Sequence, residues 1–156
     1  FYADRTGDYV LELEVSDGAA WSTPDVVRLT AAPRANNSPP GVEAGTDQTL
    51  AETVICSGTG GNAYCPDCPA GVVTVSGEGT MDADDDGLTY FWQVLEGDAL
   101  IQDASRRTTP VELRGASARP GETVTTSYRL TLTATDCPGS SASDEVVIEY
   151  RCTGTY

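Results

Sequence analysis

Histidine is absent from this chain of 156 residues, and so is lysine, all nine basic residues being arginine. Without histidine there is no ordinary general base near neutral pH, no imidazole metal ligand and no Ser-His or Cys-His nucleophile. Most enzyme classes fall away on that ground. Long apolar runs are also missing: the longest are strand-sized, so nothing reads as a membrane span or a signal peptide. The chain is expected to be soluble as it stands, any export signal lying in a precursor. Positive charge is scarce as well. Twenty-four acidic residues against nine arginines give a net charge of −15, a surface that repels nucleic acid and anionic lipid and favours divalent cations. The plainer alternative is a solvated acidic surface with no partner.

What is present points to an all-β architecture. Short alternating runs rich in Thr, Val and Gly recur, with no helical period. The organising stretch is Thr80 to Trp92, where an acidic loop leads into Leu88-Thr89-Tyr90-Phe91-Trp92. Alternation along that strand sends Leu88, Tyr90 and Trp92 to one face and Thr89 and Phe91 to the other, which makes Trp92 the expected centre of a core.

This stretch, Gly77-x-x-Thr80-x-Asp82-x-Asp84-Asp85-Asp86-Gly87-Leu88-x-Tyr90-x-Trp92, resembles the loop and third strand of the PKD family of immunoglobulin-like β-sandwiches, roughly G-x-x-S-x-D-x-D-G-D-x-L-x-Y-x-W. Thr80 replaces the usual Ser, and the glycine is displaced to follow the last Asp. Asn37-Ser38-Pro39-Pro40 with Ala44-Gly45-Thr46-Asp47-Gln48 resembles the family's linker and first strand, and Tyr128 to Asp136 resembles its penultimate strand. The likeness covers nearly all of residues 37–150. It implies an immunoglobulin-like, PKD-type sandwich whose core includes Tyr90, Trp92, Tyr128, Leu130 and Leu132. It also implies a secreted or cell-surface module acting as spacer, adhesion or assembly element, not as a catalyst. Its partners would be neighbouring PKD-like domains, copies of itself, a surface protein or a polysaccharide, without membrane insertion. Two alternatives are an accessory substrate-binding module of a secreted hydrolase and the repeating subunit of an extracellular filament.

The chain also repeats itself. One constant offset aligns Tyr9 with Tyr128, Leu11 with Leu130, Leu13 with Leu132, Asp17 with Asp136, Asp25 with Asp144, Val27 with Val146 and Leu29 with Ile148. An ungapped match through two strands and their turn is a strong internal repeat. Residues 1–32 are therefore expected to be the last two strands of a preceding domain of the same kind, whose front is missing. A Pro/Asn linker follows at 33–40, then a complete domain at 41–152 with an inserted Cys-rich loop at 56–71, and a tail at 153–156.

Asp82, Asp84, Asp86 and Gly87 have the D-x-D-x-D-G look of a calcium loop, in which alternate carboxylates converge and glycine permits the sharp turn. An EF-hand is excluded, because no Glu stands six residues after Gly87 and strand sequence follows. Close carboxylates repel by about 1 kcal/mol per pair in water, which a cation would relieve. In an immunoglobulin-like sandwich the turn at Asp136 and the linker residues Asn36 and Asn37 lie at the same end, so their oxygens are candidates to complete a Ca2+ site. The alternatives are a merely solvated turn and a catalytic carboxylate pair.

Five cysteines suggest an oxidising compartment. In the implied fold Cys56, Cys65, Cys68 and Cys152 share one pole, opposite Cys137. The expectation is two disulfides among those four, pairing unknown, with Cys137 left as a thiol; a four-thiolate zinc site and free thiols are the competing readings. A redox role for Cys65-Pro66-Asp67-Cys68 is disfavoured by the turn-forming prolines and glycine around it. Tyr90 and Trp92 could be imagined as a sugar-stacking platform, but a central strand makes them core. Trp21, in a turn, is open to contact or local packing.

Overall fold

The computed structural model describes residues 6–32, 36–137 and 139–156. Among these the chain is all β but for one short 3-10 turn at Gly60–Asn62. No helix among the described residues is long and apolar enough to cross a membrane.

The first two strands, β1 (Gly7–Leu13) and β2 (Asp25–Ala31), form an antiparallel hairpin with its own two-stranded sheet. The remaining strands are β3 (Gln48–Ile55), β4 (Gly71–Ser76), β5 (Thr89–Glu96), β6 (Ala99–Ile101), β7 (Thr108–Leu113), β8 (Thr123–Thr135) and β9 (Ser141–Thr155). They build a four-stranded sheet in the order β3-β9-β8-β5 and a three-stranded sheet in the order β4-β7-β6. The first strand of this unit lies parallel to the last, Gln48 beside Ile148 and Ile55 beside Thr155, while the other pairings are antiparallel. The result is an immunoglobulin-like β-sandwich.

Alternation explains the core. Along β8, Tyr128, Leu130, Leu132 and Ala134 are buried, and along β9, Val146, Ile148, Tyr150 and Cys152 are buried, while the residues between them are half-buried or exposed. From the facing sheet come Val75, Val111 and Leu113, and from β5 comes Trp92, only 1% exposed. All but Ala134 belong to one apolar cluster. A buried indole must place its N–H, and Trp92 Nε1 donates to the Arg106 carbonyl oxygen at 3.1 Å. Tyr90 packs half-buried at the margin of that cluster, with the Arg107 guanidinium 6.0 Å from its ring centre. Phe91 points outward and is exposed.

Two boundaries differ from the sequence reading. β9 continues through Thr153 and Gly154 to Thr155, so the residues expected as a tail are strand, paired on one side with Thr53, Val54 and Ile55 of β3. β1 ends at Leu13, earlier than the alternation of Val15 suggests. There the side chain of Ser22 takes the Val15 N–H and the turn is closed by a Ser16–Trp21 bridge. Trp21 is 70% exposed.

Candidate functional site: a carboxylate cluster at one pole

β8 runs the length of the sandwich, from Val124 opposite Cys152 to Thr135 opposite Ser141. At about 3.3 Å per residue its two ends are separated by ~40 Å. The four pole cysteines lie at the first end. The structure joins Cys56 to Cys65 and Cys68 to Cys152; Cys137 lies half-buried in the turn at the other end and belongs to neither disulfide. With all four thiols oxidised, the pole offers no thiolate for zinc.

At the second end three carboxylates converge. One oxygen from each of Asp82, Asp84 and Asp86 lies within 4.8 Å of the other two. Oxygens bound to one Ca2+ at about 2.4 Å can be at most about 4.8 Å apart, so this spacing falls within a single coordination sphere. The loop holds this shape through its own backbone: Asp82 Oδ1 accepts from the N–H of Asp84 at 2.8 Å and of Asp86 at 3.2 Å. That leaves Asp82 Oδ2, which is buried and accepts no hydrogen bond. A buried carboxylate oxygen of that kind is costly unless a cation or donor reaches it.

The sharp turn of this loop is not made by Gly87. The left-handed residue is Asp85, with φ of 59°, whereas Gly87 is not among the glycines of positive φ. The turn thus falls two residues ahead of the glycine to which the D-x-D-x-D-G spacing points. Short side chains such as Asp are the ones that tolerate this conformation.

The segment entering the sandwich is tied to the loop at several points. Ser38 N–H donates to Asp84 Oδ2 at 2.8 Å, Gly41 and Met81 exchange backbone hydrogen bonds, and the buried Thr80 hydroxyl accepts from Glu43 N–H at 3.1 Å. Ala44 N–H donates to Asp144 Oδ2 at 2.8 Å. Arg107 braces the start of the loop by donating to the carbonyls of Gly77, Glu78 and Thr80.

Of the other expected ligands, Asn37 directly precedes Ser38, whose N–H reaches Asp84. Its amide nitrogen donates to Asp136 Oδ2 at 2.7 Å and to Ser140 Oγ at 2.9 Å. Its Oδ1 is buried without a donor. Asp136 is not one of the three converging carboxylates. Its Oδ1 accepts from the N–H of Gly139 and Ser140, at 2.7 and 2.6 Å, so it fixes Asn37 and the β8–β9 turn. Burial alone pushes its carboxyl up, but the hydrogen bonds from Asn37, Ser140 and Gly139 outweigh it and hold the group below the usual carboxylate range. Asn36 sits in an exposed turn. Sequence reasoning passed over Ser38 and Thr80, whose signal was only their place beside Asn37 and Met81.

Fold and cluster together define an immunoglobulin-like sandwich module with a carboxylate cluster at one pole and two disulfides at the other. Disulfides fit an oxidising, extracellular setting. No family profile and no curated protein matches the sequence. Among solved structures, the chain is similar to part of a nucleoside hydrolase-related hypothetical protein from Saccharophagus degradans that is associated with carbohydrate metabolism. The identity is 18% and the TM-score 0.51, over 74% of this chain. This chain spans only 26% of the length of that protein. It is also similar to the solution structure of the PKD domain from the KIAA 1837 protein, with 18% identity and a TM-score of 0.49, over 78% of this chain and 94% of that one. At such identity the first likeness bears on the fold alone.

Proposed function

We propose that the chain is a non-catalytic PKD-like module of a secreted or cell-surface protein, a spacer or assembly element whose incoming segment is stiffened by Ca2+. Asp82, Asp84 and Asp86 are its carboxylate ligands, and Asn37 Oδ1 is the neutral oxygen beside them. The observation that carries this reading is the convergence of the three carboxylates, one of which, Asp82, has a buried oxygen that accepts no hydrogen bond. Oxygen-only donors suit a hard cation and leave zinc or copper poorly served. Because Ser38 N–H rests on Asp84, drawing the loop together also fixes the segment leading into the domain.

A ligand that binds only the folded state raises its melting temperature by mass action. Calcium titrated at low ionic strength is expected to raise the midpoint, with Mg2+ less effective because it demands a tighter octahedron. Asp82→Asn and Asp84→Asn are expected to remove the rise. A midpoint that stays flat across the titration rejects the cation.

A further inference from the structure

The internal repeat extends from sequence to register. Tyr9 faces Leu29 as Tyr128 faces Ile148, Leu11 faces Val27 as Leu130 faces Val146, and Leu13 faces Asp25 as Leu132 faces Asp144. The turns are built alike, one residue out of step: Asp17 Oδ1 accepts from the N–H two and three residues on, of Ala19 and Ala20, both at 2.9 Å, and Asp136 Oδ1 from those three and four residues on, of Gly139 and Ser140. The surroundings are opposite. Leu130, Leu132, Val146 and Ile148 are all 0% exposed, whereas Leu11, Leu13, Val27 and Leu29 are exposed by 36%, 63%, 51% and 39%. A two-stranded hairpin with such a face is marginal in water.

We propose that the β1–β2 hairpin is the closing hairpin of a second sandwich, completed by a strand set of the β3–β7 kind carried on the same polypeptide ahead of it. The complete domain shows what each part of the hairpin receives. The outer edge of β1 takes an antiparallel strand, as β8 takes β5, and the outer edge of β2 takes a parallel strand, as β9 takes β3. The face of Leu11, Val27 and Leu29 takes a sheet like β4-β7-β6. Asp25 takes a backbone N–H, as Asp144 takes that of Ala44.

A second copy is the weaker occupant. Its own β3–β7 strands are already filled by its own β8 and β9, and β9 is locked by the Cys68–Cys152 disulfide. The hairpin position matching Cys152 is Pro33, so an exchanged hairpin cannot remake that bond. Two hairpins packed face to face would bury both Asp25 carboxylates without a backbone donor, which is costly. This inference does not depend on the cation.

The chain of 156 residues supplies the baseline, its monomeric state verified by sedimentation equilibrium. Amides of the hairpin are expected to exchange fast there. A second copy of residues 37–122, carrying Cys68→Ser and joined ahead of Asp4, restores the order that precedes β8. It is expected to slow exchange across Tyr9 to Thr30 by at least about 100-fold, the signature of incorporation into a cooperative unit. Leu11→Asp is expected to abolish that protection while leaving the unextended chain unchanged. A second variant tests equivalence separately: residues 9–29 replace residues 128–148 in the unextended chain, and the sandwich is expected to keep a cooperative melt. The proposal is overturned if the added copy gives no protection, if the replacement abolishes the melt, if the unextended monomer already protects its hairpin, or if protection appears only in dimers.

Discussion

Asn37 donates to Asp136 at 2.7 Å across 99 positions of sequence, pinning the segment that enters the sandwich to the turn between its two longest strands. The same amide has a buried oxygen that meets no donor, which the proposed reading assigns to the cation. Asp136 is consumed in holding Asn37. The division of labour is therefore one of positioning by Asp136 and of ligation, in the proposed reading, by the three loop carboxylates.

That arrangement sets an acid limit to stability. A carboxyl whose pKa is depressed on folding contributes stability above its unfolded value and loses it as pH falls through the folded one. Asp136 is such a group. In chelator, the melting temperature is expected to fall as pH drops below about 4, where ordinary aspartates protonate. Asp136→Asn is expected to cost about 1–3 kcal/mol at neutral pH, the range for a disrupted buried hydrogen-bonded charge, and to flatten that acid fall. An unchanged pH profile in the variant would show that other groups set it.

The acidic loop gives a prediction of opposite sign. Asp85 holds φ of 59°, a conformation that costs an L-residue roughly 1–2 kcal/mol and a glycine almost nothing. Asp85→Gly is expected to stabilise by about 0.5–1 kcal/mol after glycine's extra unfolded-state entropy is subtracted. Gly87→Ala is expected to be nearly neutral, since a Cβ there meets nothing within 4 Å. Denaturant midpoints of the two variants check both, and the reverse order would place the turn at Gly87.

These residues mark how far the sequence could be read. The period of two along Tyr128-Leu130-Leu132 and at Trp92 gave both the sheet and its buried face, because burial on one side of a strand writes itself directly into alternation. Turn chemistry is less direct. D-x-D-x-D-G reads as a loop turning at its glycine, yet a short aspartate can take the left-handed place, and spacing does not distinguish the two. Asp136 and Asp84 look alike as letters. Their roles part according to which backbone N–H groups the tertiary fold leaves unsatisfied beside each. Likewise, alternation in Glu145 to Arg151 does not show that β9 runs on to Thr155.

The two disulfides are expected to differ in weight. Cys68–Cys152 spans 84 residues and Cys56–Cys65 only 9, so the chain-entropy account assigns them about 4.5 and about 2.5 kcal/mol. Removing the first as a Cys68→Ser, Cys152→Ser pair is therefore expected to lower the denaturant midpoint more than removing the second as a Cys56→Ser, Cys65→Ser pair. Equal losses would mean that strain or residual structure in the unfolded chain dominates over loop length.

Gly97 and Gly121 separate two reasons for needing glycine. Both have positive φ, 92° and 76°, so alanine at either strains the backbone by roughly 1–2 kcal/mol. At Gly121 a Cβ meets nothing within 4 Å, whereas at Gly97 it would lie 2.4 Å from Cδ1 of Tyr128. That ring cannot yield easily. It is 1% exposed, packed in the core, and anchored by its hydroxyl donating to the Arg114 carbonyl. Gly97→Ala is therefore expected to cost about 2–4 kcal/mol, strain plus overpacking, and Gly121→Ala about 1 kcal/mol. Tyr128→Phe combined with Gly97→Ala releases the anchor and lets the ring shift, so the double variant is expected to lose less than the sum of the two single losses. Additive losses in urea melts would show that the ring moves freely and that backbone strain alone makes Gly97 necessary.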